Sequence, residues 1–125
     1  MMLTMVTRFE CDDAMANAII KLNEKGYGTR FCCSGHEEDL HPYISFTTNG
    51  SIALDLIECT YYSLPVNWVR EVSNYNYRNA GLYRRFTEEE YLTKTDKELI
   101  EMAMQELNNW VDIIPVAMFP KSKVL

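Results

Sequence analysis

The feature that most constrains the fold is an amphipathic helix, which the sequence predicts over Asp96–Asp112. Thr95 and Glu98 have the spacing of a capping box, in which a hydroxyl and a carboxylate satisfy each other's backbone donors at a helix start. Pro115 ends the helix, because proline has no amide hydrogen and clashes with the preceding turn. The core-facing residues recur at helical spacing and are Leu99, Ala103, Leu107, Trp110, Val111 and Ile114. Such a helix needs a second layer against which to bury this stripe.

A strand–helix–strand pattern at the other end of the chain supplies that layer. Thr4–Glu10 alternates as a strand, and Asp12 then has the character of an N-cap. The helix ends at Lys25-Gly26, since glycine readily takes the left-handed conformation. Tyr27–Cys33 is the next predicted strand. The apolar stripe of the helix consists of Met15, Ala18, Ile19 and Leu22.

The sequence predicts further strands in the middle of the chain. Asn49-Gly50 is a strong hairpin signal, so we expect Ile52–Ile57 to pair antiparallel with Tyr43–Thr48. Two more strands are predicted at Trp68–Val72 and Gly81–Phe86, joined by a loop at Asn74–Ala80.

These elements predict one α+β domain over residues 1–125. Its mostly antiparallel sheet, of about five to six strands, packs against the N-terminal helix and the longer C-terminal helix. A short helix at Glu88–Leu92 precedes the long one and begins with a second capping box, Thr87 with Glu90. Pro115 and Pro120 predict that the tail, residues 116–125, is extended and pairs at a sheet edge or reaches a neighbouring subunit.

Charge and composition exclude several partners. The net charge of −6 disfavours duplex DNA and anionic membranes, which the protein's field would repel. No apolar run approaches the roughly 20 residues that a membrane span needs. The first residues lack the charged and long apolar regions of a secretory signal, so we expect a cytoplasmic protein with reduced cysteines.

The polar loop between Tyr27–Cys33 and Tyr43–Thr48 contains one candidate site. Cys33, His36 and His41 have a spacing that zinc accepts, and three ligands plus water would make a catalytic metal site. A thiolate of Cys32 or Cys33 with His36 as its base is a further catalytic possibility. A plain turn with buried structural cysteines competes with both readings, and we expect no metal or other cofactor.

A second candidate site lies in Thr60–Phe86. This segment contains four arginines and only one acid, whereas the rest of the chain carries −9. It also holds seven of the fifteen aromatic residues. Guanidinium groups match phosphate oxygens and aromatic rings stack on bases, so the segment suits a small anionic nucleotide. A solvated strand face with core aromatics is the competing explanation. The predicted ligand-binding residues are Arg30, His36, Trp68, Arg70, Tyr75, Tyr77, Arg78, Tyr83, Arg84 and Arg85.

The chain also resembles a known set of proteins. Gly26–His36, which reads GYGTRFCCSGH, is followed by Pro42–Phe46, which reads PYISF. This pattern and the chain length resemble small proteins of phages and prophages of low-GC Gram-positive bacteria, above all the first of the phage anti-Thoeris families. The resemblance implies a non-enzymatic sponge for cyclic ADP-ribose isomers made by immune TIR-domain enzymes, with cyclic oligonucleotides held at a separate site in some members. It also implies dimers assembled into hexamers in the host bacterial cytoplasm.

Three functional hypotheses therefore stand. The first is capture of a small anionic cyclic nucleotide without turnover, which blocks host anti-phage defence. The second is a small metal-dependent hydrolase built on Cys33, His36 and His41. The third is a protein-binding inhibitor, such as an anti-CRISPR protein, whose acidic surface mimics nucleic acid.

Overall fold

A computed structural model describes residues 3–6, 9–33, 41–60, 62–72 and 80–117. The fold is α+β, as the sequence predicts, with an N-terminal helix and a longer C-terminal helix packed beside an antiparallel sheet. The elements in chain order are β1 (Leu3–Val6), β2 (Phe9–Asp12), α1 (Asp13–Glu24), β3 (Thr29–Cys33), β4 (Tyr43–Phe46), α2 (Thr48–Glu58), β5 (Val69–Val72), β6 (Ala80–Tyr83), α3 (Glu88–Thr93) and α4 (Asp96–Ile113).

The main sheet has four strands rather than the five to six predicted. Its order is β3-β4-β6-β5, and every neighbouring pair is antiparallel. The predicted single first strand is divided into β1 and β2, which pair with each other as a separate two-stranded sheet. In the described part of the chain, the main sheet therefore loses two of its predicted members, one to this hairpin and one to a helix.

The predicted hairpin strand Ile52–Ile57 is wrong, because these residues belong to α2. Thr47 is the N-cap of α2, and its hydroxyl oxygen accepts a hydrogen bond from the Gly50 amide at 3.0 Å. Gly50 is required by packing rather than by a turn, since a Cβ at this position would lie 2.1 Å from the carbonyl oxygen of Gly28. The Asn-Gly pair thus reflects a close approach between two segments of backbone.

The two long helices form the core as predicted. Every residue of the predicted stripes of α1 and α4 is buried, and the two helices contact each other. Both predicted capping boxes are present, at the starts of α3 and α4. Gly26 has a φ of 94°, which confirms its left-handed position after α1.

Lys25 and Tyr27 attach the end of α4 to the start of the fold. The Lys25 ammonium donates to the carbonyl oxygens of Val111 and Ile114, each at 2.7 Å, and so satisfies acceptors that the helix end exposes. The Tyr27 hydroxyl donates to the Pro115 carbonyl at 2.8 Å. Burial, together with the nearby Tyr62, raises the pKa of Tyr27 to about 12, so this hydroxyl keeps its proton.

The predicted extended tail can be followed only at its beginning. The Ala117 amide donates to the Lys25 carbonyl at 2.6 Å, while residues 118–125 lie outside the described residues. Among the helices that the structure describes, none combines the length and the apolar character needed to cross a bilayer.

Candidate functional site

The two faces of the main sheet differ in what covers them. Along β4 and β6 burial alternates, so that Ile44 and Leu82 are buried while Ser45 and Gly81 are partly exposed. The register places Arg70 of β5 opposite Leu82, and Glu71 opposite Gly81. Directly paired residues share a face of the sheet. The inner face, which includes Ile44, Leu82 and Arg70, is turned towards the core, and the outer face, which includes Ser45, Gly81 and Glu71, is turned towards solvent.

Arg84 follows β6 on the inner face and is almost completely buried, at 1% exposure. Its Nε donates to Glu106 Oε1 at 2.8 Å, and its Nη2 donates to Glu106 Oε2 at 3.2 Å and to Glu90 Oε2 at 2.8 Å. Its Nη1 donates to Glu90 Oε1 at 3.1 Å and to the Arg85 carbonyl at 2.8 Å. A guanidinium has five N–H donors, so each one of Arg84 has a partner within the protein.

The charges around Arg84 reinforce one another. Burial alone would lower the pKa of Arg84, but its hydrogen bonds to Glu90 and Glu106 and their negative charges outweigh burial and raise it. The hydrogen bond from Arg84 is the largest influence on Glu90 and lowers the pKa of that carboxyl to about 2. Glu106 also accepts a hydrogen bond from the Asn67 amide at 2.9 Å. This cluster joins β6, α3 and α4 and leaves no donor of Arg84 for a phosphate.

Arg70 and Trp68 also belong to the inner side of the sheet. The guanidinium of Arg70 donates to Asp55 and Glu58, one turn apart on α2, and so attaches the edge strand β5 to that helix. Burial opposes ionisation, yet these two carboxylates raise the pKa of Arg70. Trp68 is part of the core, at 5% exposure. The structure therefore does not bring Arg70, Arg84 and Trp68 to the outer face.

Arg30 is exposed on the other edge strand. The pairing of β3 with β4 shifts between Thr29 and Phe31, so Arg30 is the extra residue of a bulge. A bulge turns its residue away from the regular alternation, and it gives Arg30 an orientation that the sequence pattern does not predict.

The outer face carries a cavity of about 540 Å³ that contains both charged and aromatic groups. We call it the outer-face cavity, and it is lined by His41, Tyr43, Glu71, Tyr83 and Arg85. Tyr43 pairs with Tyr83 across β4 and β6, while Ser45 pairs with Gly81 in the next same-face row. The Arg84 amide donates to the Pro42 carbonyl at 2.9 Å, which continues the ladder one step further and places positions 41 and 85 opposite each other.

The guanidinium of Arg85 lies at the open end of this ladder. Its central carbon lies 5.5 Å from the centroid of the Tyr83 ring, within range of a cation–π contact. Tyr43 is 39% exposed, so part of its side chain reaches solvent. The cavity thus brings together a guanidinium, an imidazole, two phenol rings and one carboxylate.

Four of the predicted site residues cannot be assigned to this cavity. His36, Tyr75, Tyr77 and Arg78 lie outside the described residues. The described residues that flank segment 73–79, Val72 and Ala80, pair with each other at the end of β6 away from Arg85. Among the predicted ligand-binding residues that the structure describes, Tyr83 and Arg85 line the outer-face cavity.

The alternative metal site is only partly covered by the structure. Cys33 ends β3 and pairs with Tyr43, while His41 lines the outer-face cavity. Within the described ranges, no group of three or more potential metal ligands lies together. His36, the middle residue of the predicted set, is outside those ranges.

Sequence reasoning missed Tyr43 and Glu71 as site residues. In the structure, burial alternates strictly along residues 41–46 and 80–86, so every second side chain lies on one face, and the strand register adds Glu71 to that face. Using this alternation requires the knowledge that β4 pairs with β6, and the incorrect hairpin had assigned that neighbour to Ile52–Ile57.

Comparison of the chain with protein-family models, curated proteins and solved structures found no match.

Proposed function

We propose that this protein binds a small anionic nucleotide in the outer-face cavity without altering it. The observation that carries the proposal is that one cavity combines Arg85 with two tyrosines on a sheet face uncovered by the described helices. Its volume of about 540 Å³ falls within the range of sites for compact organic ligands.

The lining residues suit the two parts of a nucleotide. Arg85 supplies a guanidinium whose charge and forked donors complement phosphate oxygens, and His41 lies opposite it. The phenol rings of Tyr43 and Tyr83 offer surfaces for base stacking, an interaction worth about 1–3 kcal/mol per base. Arg70 and Arg84 are left out of this site, because carboxylates of the protein already hold them.

The cellular role that we propose is sequestration of a cyclic nucleotide immune signal. The resemblance of Gly26–His36 and Pro42–Phe46 to the phage anti-Thoeris family supports a cyclic ADP-ribose isomer as the ligand. Such a protein would act in the host bacterial cytoplasm as dimers assembled into hexamers, and would block defence by lowering the free concentration of the signal.

The test is recovery of ligand from protein made in cells that also express a TIR-domain cyclase. The purified protein is heat-denatured, and the released small molecules are identified by mass spectrometry. We expect an intact cyclic nucleotide at a near-stoichiometric amount, and native mass spectrometry of the same sample gives the subunit count. A converted product in place of the intact ligand would contradict capture without turnover.

Two variants make the test specific for the cavity. Arg85→Ala should lower the amount of ligand recovered, because the cavity loses its guanidinium. Lys97→Ala is the matched control, since it also removes one positive charge but from an exposed position on α4 that does not line the cavity. Equal recovery from both variants would place the ligand elsewhere. Recovery of a host protein instead of a nucleotide would favour the protein-binding inhibitor.

A further inference from the structure

The outer-face cavity has residues of opposite charge at its two ends, and the register of the sheet fixes which residue lies at each end. Arg85 and His41 stand opposite each other at one end, and the paired Tyr43 and Tyr83 form the middle row. Glu71 lies at the other end, in the row of Ser45 and Gly81. A ligand that fills the cavity therefore meets positive charge at one end and negative charge at the other.

The backbone positions of Arg85 and Glu71 are separated along the sheet. Arg85 is four residues beyond Gly81, the partner of Glu71, and four residues of antiparallel strand span about 14 Å. A phosphate is thus attracted to the guanidinium at the Arg85 end, away from the row of Glu71.

The outer face carries only small residues beside Glu71. Gly81 has no side chain and its partner Ser45 has a small one, so the outer face is low in the row of Glu71, beside the tyrosine row. A phosphate, a ribose and a base follow one another along a nucleotide. With the phosphate at Arg85, the base is the part that reaches Glu71.

A carboxylate at that position restricts the chemistry of the base. An ionised carboxylate accepts hydrogen bonds and cannot donate them, so the edge of the base that faces Glu71 must present N–H groups. Adenine and cytosine carry an exocyclic amino group with two N–H donors, whereas the pairing edge of uracil has a single N–H between two carbonyl oxygens, which a carboxylate repels.

We propose that Glu71 selects nucleotides whose base carries an exocyclic amino group, with the phosphate held at the Arg85 end. This inference rests on the proposed function, and it assigns the direction of the ligand and the residue that determines base specificity.

The experiment measures the affinity of four defined probes by isothermal titration calorimetry. The first pair is 3′,5′-cyclic AMP and its analogue with hydrogen in place of the 6-amino group, and the second pair is 3′,5′-cyclic CMP and 3′,5′-cyclic UMP. We expect the wild-type protein to bind the amino-bearing member of each pair about tenfold more tightly or better, the effect typical of a hydrogen bond to a charged group.

Variants at position 71 test the assignment through selectivity rather than through affinity alone. Glu71→Ala should reduce the preference to less than about threefold, because the acceptor is gone. Glu71→Lys should invert it towards UMP, because an ammonium donates to carbonyl oxygens. Glu89→Ala removes an exposed acid of α3 that does not line the cavity and should keep the wild-type preference. Arg85→Ala should weaken all four probes alike.

The outcomes separate this inference from the function on which it rests. Equal affinity for the members of each pair, or a preference that survives Glu71→Ala, overturns the role of Glu71 while nucleotide binding stands. If a nucleotide is recovered from co-expressed protein but none of the four probes binds, the base assignment is overturned alone. If no nucleotide is recovered and no probe binds, both proposals fall.

Discussion

Arg84 and Arg85 are adjacent in the chain, yet they lie on opposite faces of the sheet and have opposite surroundings. Arg84 is 1% exposed and all five of its N–H groups are used by Glu90, Glu106 and a carbonyl. Arg85 is exposed, lies over the ring of Tyr83 and lines the outer-face cavity. The strand alternation alone assigns one arginine to stability and leaves the other available to a ligand. Residue type and sequence position are therefore poor guides to function unless the pairing register is known.

The largest expected effect on stability is that of removing Arg84. Arg84→Ala should lower the free energy of unfolding by about 3–5 kcal/mol, because it leaves the carboxylates of Glu90 and Glu106 without their buried partner. Urea unfolding at neutral pH measures the change, and Lys97→Ala serves as the exposed control. A loss of about 1 kcal/mol or less, as for an exposed ion pair, would contradict the structural role of Arg84.

The acid sensitivity of the cluster provides a second test. The pKa of Glu90 is lowered from 4.5 to about 2 in the folded protein, so its ionised form is stabilised by folding. This contribution is complete above the unfolded pKa near 4.5 and is lost as the pH falls towards 2. Unfolding free energies measured across this interval should fall less steeply in Glu90→Gln than in the wild type. Parallel curves for the two proteins would show that Glu90 carries no such linkage.

A smaller loss of stability is expected when the N-cap of α2, the helix that covers the inner face, is removed. Thr47→Ala should cost about 1 kcal/mol, the usual value of an N-cap hydroxyl, because the Gly50 amide loses its acceptor. Thr47→Ser keeps that acceptor and should retain most of the stability. Equal losses in the two variants, measured by thermal and urea unfolding, would mean that α2 does not depend on this cap.

The features that could be predicted from the sequence are those set by local spacing. The stripe Leu99–Ile114 and the capping boxes at Thr87 and Thr95 depend on residues three or four apart, and all are confirmed. The helix α2 was missed because the need for Gly50 arises from the backbone of Gly28, more than twenty residues earlier in the chain. No local pattern records such an approach.

The candidate site was less predictable than the fold for the same reason. In the sequence, Glu71 is the one acid of an arginine-rich segment, and nothing local indicates that its side chain lies in a site. Glu106, which accepts hydrogen bonds from the buried Arg84, reaches that cluster from α4, 22 residues further along the chain. The aromatic and cationic composition of the segment was visible, but the face on which each residue lies was set by long-range pairing.

The most direct test is to measure the nucleotide affinity and the unfolding free energy of Arg85→Ala on the same preparation. Because Arg85 is exposed, its removal should change the free energy of unfolding by less than about 0.5 kcal/mol. The affinity for the cyclic nucleotide recovered from the co-expressed wild-type protein should fall about tenfold or more, since a charged hydrogen-bonding partner of the phosphate is lost. Unchanged affinity in a stably folded Arg85→Ala protein would contradict the claim that the outer face of the sheet holds the ligand.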